Sequence, residues 1–182
     1  MDLEEKVVSS EDIYQGAILD VKKQTVKLSN GEIAHREVVY HSKSVAMLAL
    51  TEDNKIILEK QWRAPVGKAM IEIPAGKMDE RDNENPEKTL SRELNEELRL
   101  KSDDFKLIHA IYPSVGFTDE FMYIYLVKNL KPVENDLDRD QGEFLEINEY
   151  TLDEVKLMIK EGTINDGKTI IAIQFWELMQ SR

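Results

Sequence analysis

The longest apolar run in the chain, Ser44 to Leu50 (Ser-Val-Ala-Met-Leu-Ala-Leu), reads as a strand buried on both faces. It is far too short to cross a bilayer. Upstream, Ile13 to Leu19, Val21 to Leu28 and Ile33 to His41 read as three short strands, with Ser29-Asn30-Gly31 as a turn. These suit a small antiparallel sheet of their own. Downstream, Lys55 to Trp62 is expected to pair with the apolar run as a hairpin across Glu52-Asp53-Asn54. Ala69 to Ile73, Phe105 to Tyr112, Phe121 to Val127 and Glu143 to Ile147 are further strands. Pro86 suits the first turn of a helix that continues to Leu98, and two more helices follow at Leu152 to Lys160 and Lys168 to Met179. One central and two terminal helices among so many strands exclude a regular βαβ repeat. They favour an α/β fold: an α/β/α sandwich on a mixed sheet, preceded by the small N-terminal antiparallel sheet. The expected division is an N-terminal β-sheet region, 1–42, and a main domain, 43–182.

Bulk composition narrows the partners. A hydrophobic fraction of 41% in 182 residues supports one ordinary core. The formal charge is −12, from 36 acidic and 24 basic residues, with no Lys/Arg-rich run. Such a surface repels polyanions, so no nucleic acid partner is expected. A small anionic substrate stays open, because a metal ion reverses the field at a site. The absence of cysteine excludes disulfides, thiolate nucleophiles and zinc–thiolate sites. The three histidines, His35, His41 and His109, are scattered. The opening residues, Met1-Asp2-Leu3-Glu4-Glu5, are acidic where a signal peptide would be basic and then apolar. The expectation is a cytoplasmic protein with no membrane partner.

The chemistry concentrates on the helix containing Arg92-Glu93-Leu94-Asn95-Glu96-Glu97-Leu98. On a helical wheel, Leu90 and Leu98 flank Leu94 at about 40° to either side, as a narrow apolar stripe. Glu97, Glu93 and Glu96 then share one arc of about 100° beside that stripe. Carboxylates spaced three and four residues apart repel one another, so the arrangement is costly without a cation. Mg²⁺, a hard ion that prefers oxygen ligands and works with phosphates, is the natural one. Arg92 lies outside the arc, placed to pair with a neighbouring carboxylate. The competing reading is a solvated acidic helix face.

The same residues resemble the Nudix signature, Gly-x5-Glu-x7-Arg-Glu-U-x-Glu-Glu-x-Gly-U, where U is aliphatic. Gly76, Glu84, Arg92, Glu93, Leu94, Glu96, Glu97 and Leu100 match it in order. There are two departures. The segment between Gly76 and Glu84 is two residues longer than the family's, and Arg99 replaces the second glycine, which normally ends the helix in a left-handed conformation. Outside the box, Arg36-Glu37-Val38-Val39, Trp62-Arg63-Ala64-Pro65-Val66-Gly67 and Glu72-Ile73-Pro74-Ala75-Gly76-Lys77 resemble the ADP-ribose pyrophosphatase branch. So do Tyr112-Pro113-Ser114-Val115-Gly116-Phe117-Thr118-Asp119-Glu120 and Gly162-Thr163-Ile164-Asn165-Asp166-Gly167-Lys168-Thr169.

The resemblance implies a hydrolase acting on a small nucleoside diphosphate sugar, with Mg²⁺ or Mn²⁺ as cofactor. Glu93 and Glu97 would bind metal directly, Glu96 directly or through water, and the Ala75 carbonyl would complete the shell. A general base is expected in the loop Leu137 to Glu143. Glu143 and Asp140 are the candidates, Glu143 favoured for its reach, with Glu120 a further contender for water or substrate. Arg63 and Arg36 resemble arginines that grip the diphosphate or terminal ribose, a bidentate task suited to guanidinium. Trp62 and Tyr14 would stack on a base or simply pack. Glu84 and Arg92 would brace the loop–helix–loop. Relatives in the branch form homodimers by exchanging the N-terminal sheet, which implies the same here. ADP-ribose is the leading substrate, yielding AMP and ribose 5-phosphate. GDP-mannose, a UDP-sugar or a dinucleoside polyphosphate would keep the chemistry, and a non-catalytic nucleotide sensor is the reading from another class.

Overall fold

The computed structural model describes residues 3–181. Met1, Asp2 and Arg182, which the leader argument and the expected domain boundaries include, lie outside the described residues. The chain divides into two compact units, Met1–Lys43 with Tyr112–Phe121, and Ser44–Ile111 with Met122–Arg182.

In the first unit, β1 (Lys6–Gln15), β2 (Leu19–Lys27) and β3 (Ile33–His41) form an antiparallel sheet in that order. The segment Tyr112–Phe121 is tied to β3: the Val39 amide donates to the Phe117 carbonyl at 2.7 Å, and the His41 amide to Asp119 Oδ1 at 2.8 Å. The first strand begins at Lys6, not at Ile13 as expected. All ten of its residues are exposed, so neither alternation nor an apolar run marks it. The expected Ile13–Leu19 strand is broken by a turn at Gly16, whose amide donates to the Leu19 carbonyl at 3.0 Å.

The second unit begins with β4 (Ser44–Ala49), β5 (Ile56–Arg63), β6 (Lys68–Glu72) and β7 (Ala75–Lys77). Helix α1 (Pro86–Leu98) follows, then β8 (Leu100–Lys101), β9 (Asp104–Ile111), β10 (Met122–Lys128), β11 (Lys131–Pro132) and β12 (Glu146–Tyr150). Helices α2 (Leu152–Lys160) and α3 (Gly167–Gln180) end the chain. Strand β4 is central in the order β7-β4-β10-β9, parallel to β10 and antiparallel to β7, so the sheet is mixed. The expected hairpin between β4 and β5 does not form. Both hydrogen-bonding edges of β4 are taken, and only an isolated bridge, Leu50 to Ile56, joins the two segments. Strand β5 pairs instead with β12 and β6.

The alternation of β4 sets the layers. Val45 and Met47, with Tyr125 and Val127 of β10, pack against Leu90 and Leu94 of α1. Ala46 and Leu48, with Ile124 and Leu126, face the other way onto Val155, Ala172, Ile173 and Trp176 of α2 and α3. Every β4 side chain is buried, as the continuous apolar run requires. Each large side chain so buried contributes about 1.5–3 kcal/mol. The α/β/α sandwich read from the sequence is therefore present, with the small antiparallel sheet ahead of it. Among the described residues no helix is long and apolar enough to cross a membrane.

Candidate active site

Helix α1 has well-defined ends. Asn85 caps it, its side chain accepting from the Glu87 amide at 2.9 Å, and Pro86 occupies the first turn, where no amide is needed. At the other end Arg99 adopts φ 61° and ψ 31°, the left-handed cap usually given to glycine. The arginine therefore keeps the cap geometry that its substitution for glycine left open. Its side chain also reaches the Leu137 carbonyl, and Asn95 bonds the main chain of Asn135 and Leu137. Arg139 adds hydrogen bonds to the Glu96 and Glu97 carbonyls at 3.3 and 2.8 Å. The loop after β11 is thus fastened to the end of α1.

The glutamates do not form a solvated face. Glu93, Glu96 and Glu97 are 8%, 4% and 1% exposed. Arg92 holds two of them, donating through Nη1 to Glu93 Oε1 at 2.6 Å and to Glu96 Oε2 at 2.7 Å. Its other nitrogens make a bidentate pair with Asp82, at 3.0 and 2.8 Å, and reach the Lys77 carbonyl at 3.0 Å. Burial opposes the Arg92 charge, yet Asp82, Glu93 and Glu96 outweigh it and hold the guanidinium firmly protonated. The brace thus runs from Arg92 to Asp82 and not to Glu84, which is exposed and left-handed at φ 55°. Asp82 was missed from the sequence. The signal was there: five residues separate Gly76 from Asp82, the family's own spacing. The two extra residues therefore fall after the bracing acid, where Asn83 and Glu84 turn left-handed ahead of the helix cap.

Gly76 is required by close approach. A Cβ there would lie 1.9 Å from the Glu93 carboxyl carbon. The Glu93 carboxylate thus rests against the main chain of β7 at Gly76. Burial pushes the Glu93 carboxyl up to about 7, with Arg92 pulling down and Glu96 pushing up. Glu97 is raised well above the ordinary range, first by burial and then by Glu59, Glu93 and Glu143. Its Oε2 is buried with no hydrogen-bond partner. A buried, all-oxygen donor set with an unsatisfied oxygen and a glycine cradle fits a hard divalent cation. Among the described residues no three His, Asp or Glu side chains yet converge as a closed ligand cage. The reason is local: Glu93 and Glu96 are turned onto Arg92.

Other expected residues in this unit are placed as follows. Arg63 makes a bidentate pair with buried Glu72, at 2.8 and 3.0 Å, and Lys168 bonds the same carboxylate. Burial would raise the Glu72 carboxyl, but Arg63 and Lys168 hold it below its usual value. Trp62, the neighbour of Arg63 on β5, is 65% exposed. Glu143 is half-buried and accepts from Gln61 Nε2 at 3.3 Å, with its carboxyl raised by burial and by Asp140. Its charge also acts on Glu93 and Glu97, whereas Asp140 is exposed. Tyr14, Arg36 and Glu120 belong to the first unit, where Arg36 pairs with Glu5 at 2.9 and 2.5 Å.

Comparison with known proteins agrees with this geometry. The NUDIX domain model matches residues 40–172, and the nucleoside diphosphate sugar hydrolase N-terminal domain model matches residues 5–39. The chain is 38% identical to the ADP-ribose pyrophosphatase of Bacillus subtilis, over 98% of this chain and 96% of that protein. It is also 38% identical to the methanol dehydrogenase activator of Bacillus methanolicus, over 98% and 95% of the two chains. A solved structure described as an ADP compounds hydrolase superposes with a TM-score of 0.84 at 17% identity, covering 99% of this chain and 96% of that one, a likeness of fold. With residues 40–172 inside one family model and the buried glutamates on that family's signature helix, the chain belongs to the Nudix family.

Proposed function

We propose that the chain is a Mg²⁺-dependent hydrolase of ADP-ribose or a related ADP-sugar, releasing AMP and a sugar phosphate. The observation that carries this reading is the burial of Glu93, Glu96 and Glu97 beside the Ala75–Gly76 main chain, with one Glu97 oxygen that no protein donor reaches. The adenine preference is supported by the name of the Bacillus subtilis relative.

Glu93, Glu96, Glu97 and the Ala75 carbonyl would hold the cation, Mg²⁺ or in its place Mn²⁺. When bound, it neutralises the diphosphate and lowers the pKa of an attacking water. Glu143 would take a proton from the attacking water as the water oxygen bonds to one phosphorus and the bridging P–O bond breaks. One phosphate stays on the nucleoside and the other on the sugar. Burial and the charge of Asp140 raise the Glu143 carboxyl, which makes it the stronger base, and its longer side chain and burial favour it over Asp140. Arg63 offers its guanidinium to the diphosphate from the frame set by Glu72, and exposed Trp62 offers a ring for stacking. Tyr14, Arg36 and Glu120 are assigned to substrate from the first unit. Residues 1–42 are assigned to self-association in a homodimer, and the cytoplasm is the proposed compartment.

The test is product identification with Mg²⁺ and a panel of ADP-ribose, ADP-glucose, GDP-mannose, UDP-glucose and diadenosine polyphosphates. The expected result is metal-dependent AMP release from ADP-ribose, lost in Glu97→Gln while the fold is kept. Turnover of a guanosine or uridine compound instead would overturn the substrate. Normal turnover by Glu97→Gln would overturn the metal assignment.

A further inference from the structure

Strand β5 carries a carboxylate that the reading above does not use. Glu59 is 0% exposed, and neither of its side-chain oxygens has a hydrogen-bond partner. Its register neighbours are Glu72 on β6 and Ile147 on β12. Neither satisfies it: the Glu72 carboxylate, itself an acceptor from Arg63 and Lys168, has no proton to donate, and the Ile147 side chain is apolar. Removing a carboxylate from water without donors costs several kcal/mol, so a wholly unpartnered one is rare and asks what completes it. Its surroundings give the answer. On β5, whose register with β6 is unbroken, Glu59 shares one face with Gln61 and Arg63, and Gln61 donates to Glu143 at 3.3 Å; the Glu59 charge acts on Glu97, as do those of Glu93 and Glu143. The third unpartnered buried oxygen among the described residues is Glu97 Oε2. The buried side-chain oxygens without a partner among the described residues thus belong to two acids, one on the signature helix and one on β5.

We propose that Glu59 is a further carboxylate of the divalent-cation site, adding an acceptor from β5 to the three that α1 supplies. The inference rests on the metal reading of Glu93, Glu96 and Glu97. Glu59 and Glu97 would then offer a bound cation the acceptors for which the protein supplies no donor. Burial otherwise drives Glu59 toward its neutral form, its carboxyl raised to about 8, with Arg63 pulling down and Glu72 and Glu143 pushing up. The residue is a positioning and charge-supplying group. It takes no part in the bond-breaking step.

The test is calorimetric titration of the full chain with Mn²⁺ and with Mg²⁺, comparing parent, Glu59→Gln, Glu59→Leu and Glu97→Gln. Thermal unfolding is followed with and without metal. Partners just outside a metal's inner shell typically change affinity by about 10–100-fold. The expected result is that both Glu59 variants bind metal at least about tenfold more weakly. Without metal their melting temperature should equal or exceed the parent's, since a buried unpaired acid has been removed. Unchanged metal affinity in a folded Glu59 variant, with affinity lost in Glu97→Gln, would sink this inference and leave the metal reading standing. Unchanged affinity in all three variants would sink both. Glu59→Leu keeps the test open if the amide of Glu59→Gln disturbs folding.

Discussion

Asp82 and Glu84 stand two residues apart and have opposite fates. Asp82 is 2% exposed and accepts from Arg92 Nε and Nη2, while Glu84 faces solvent. Removing one partner of a buried pair leaves the other charge uncompensated. Asp82→Ala should therefore cost about 3 kcal/mol, with Arg92 keeping Glu93 and Glu96 as partial compensation. Glu84→Gln should stay within about 0.5 kcal/mol. Urea denaturation midpoints of the two variants measure this, and the reverse order would return the brace to Glu84. The pair also marks what was legible at this scale. The glutamates were legible because helical spacing fixes which side chains share a face. The bracing acid was legible in its spacing from Gly76 but was passed over, because a match to Glu84 preserves residue type. Arg139 and Glu59 left no local signal. Arg139 meets α1 only through the loop that folds back onto it, and Glu59 sits in a strand whose inward face shows only once β6 and β12 are paired.

Whole elements follow the same division. The bounds of α2 were read as they stand, and α1 and α3 within a residue, because caps and apolar periodicity are local. Strand partners are not local. The β4–β5 hairpin was expected from sequence adjacency, but the β4 edges went to β10 and β7. The β4–β7 pairing holds Gly76 against Glu93, and the burial of the α1 acids gives the metal-free protein a pH dependence. Glu93 at about 7 and Glu59 at about 8 stand above the ordinary carboxyl value of 4.5. Between those limits the native state binds more protons than the unfolded chain, so stability falls as pH rises. For Glu93 alone the loss is on the order of 3 kcal/mol. Glu72 and Asp82 are held below their ordinary values, so their stabilisation persists above that window and is lost only in acid. The metal-free protein should thus melt higher near about pH 5.5 than near about pH 8. Saturating Mg²⁺ should flatten the slope by favouring the ionised acids. Melting curves in chelator and in Mg²⁺ across that range check it. A chelated protein that gains stability toward pH 8 would contradict the burial argument.

At the scale of the whole molecule, the first unit does not satisfy its own apolar surface. Val7, Val8, Ile13, Tyr14, Ile18 and Ile33 are each more than half exposed, and Val26 is the one fully buried apolar residue of the three strands. A small sheet needs a covered apolar face to be stable, and contiguous exposed apolar surface marks an interaction site. A second copy of the chain supplies the same surface in return, as a two-fold interface requires. The proposed homodimer therefore predicts a species of twice the 21.1 kDa chain mass in sedimentation equilibrium. Charges placed on β1, Val8→Glu with Ile13→Glu, should shift it to the single-chain mass while leaving the α/β/α unit folded, because the two core clusters of that unit use no residue of β1. The same sheet carries Tyr14 and Arg36, assigned above to substrate. Dissociation should accordingly raise the KM for ADP-ribose while Mn²⁺ affinity stays at the parent's value, since Glu93, Glu96 and Glu97 belong to the other unit. A parent protein that sediments at the single-chain mass would remove the homodimer and leave the exposed sheet to a different partner.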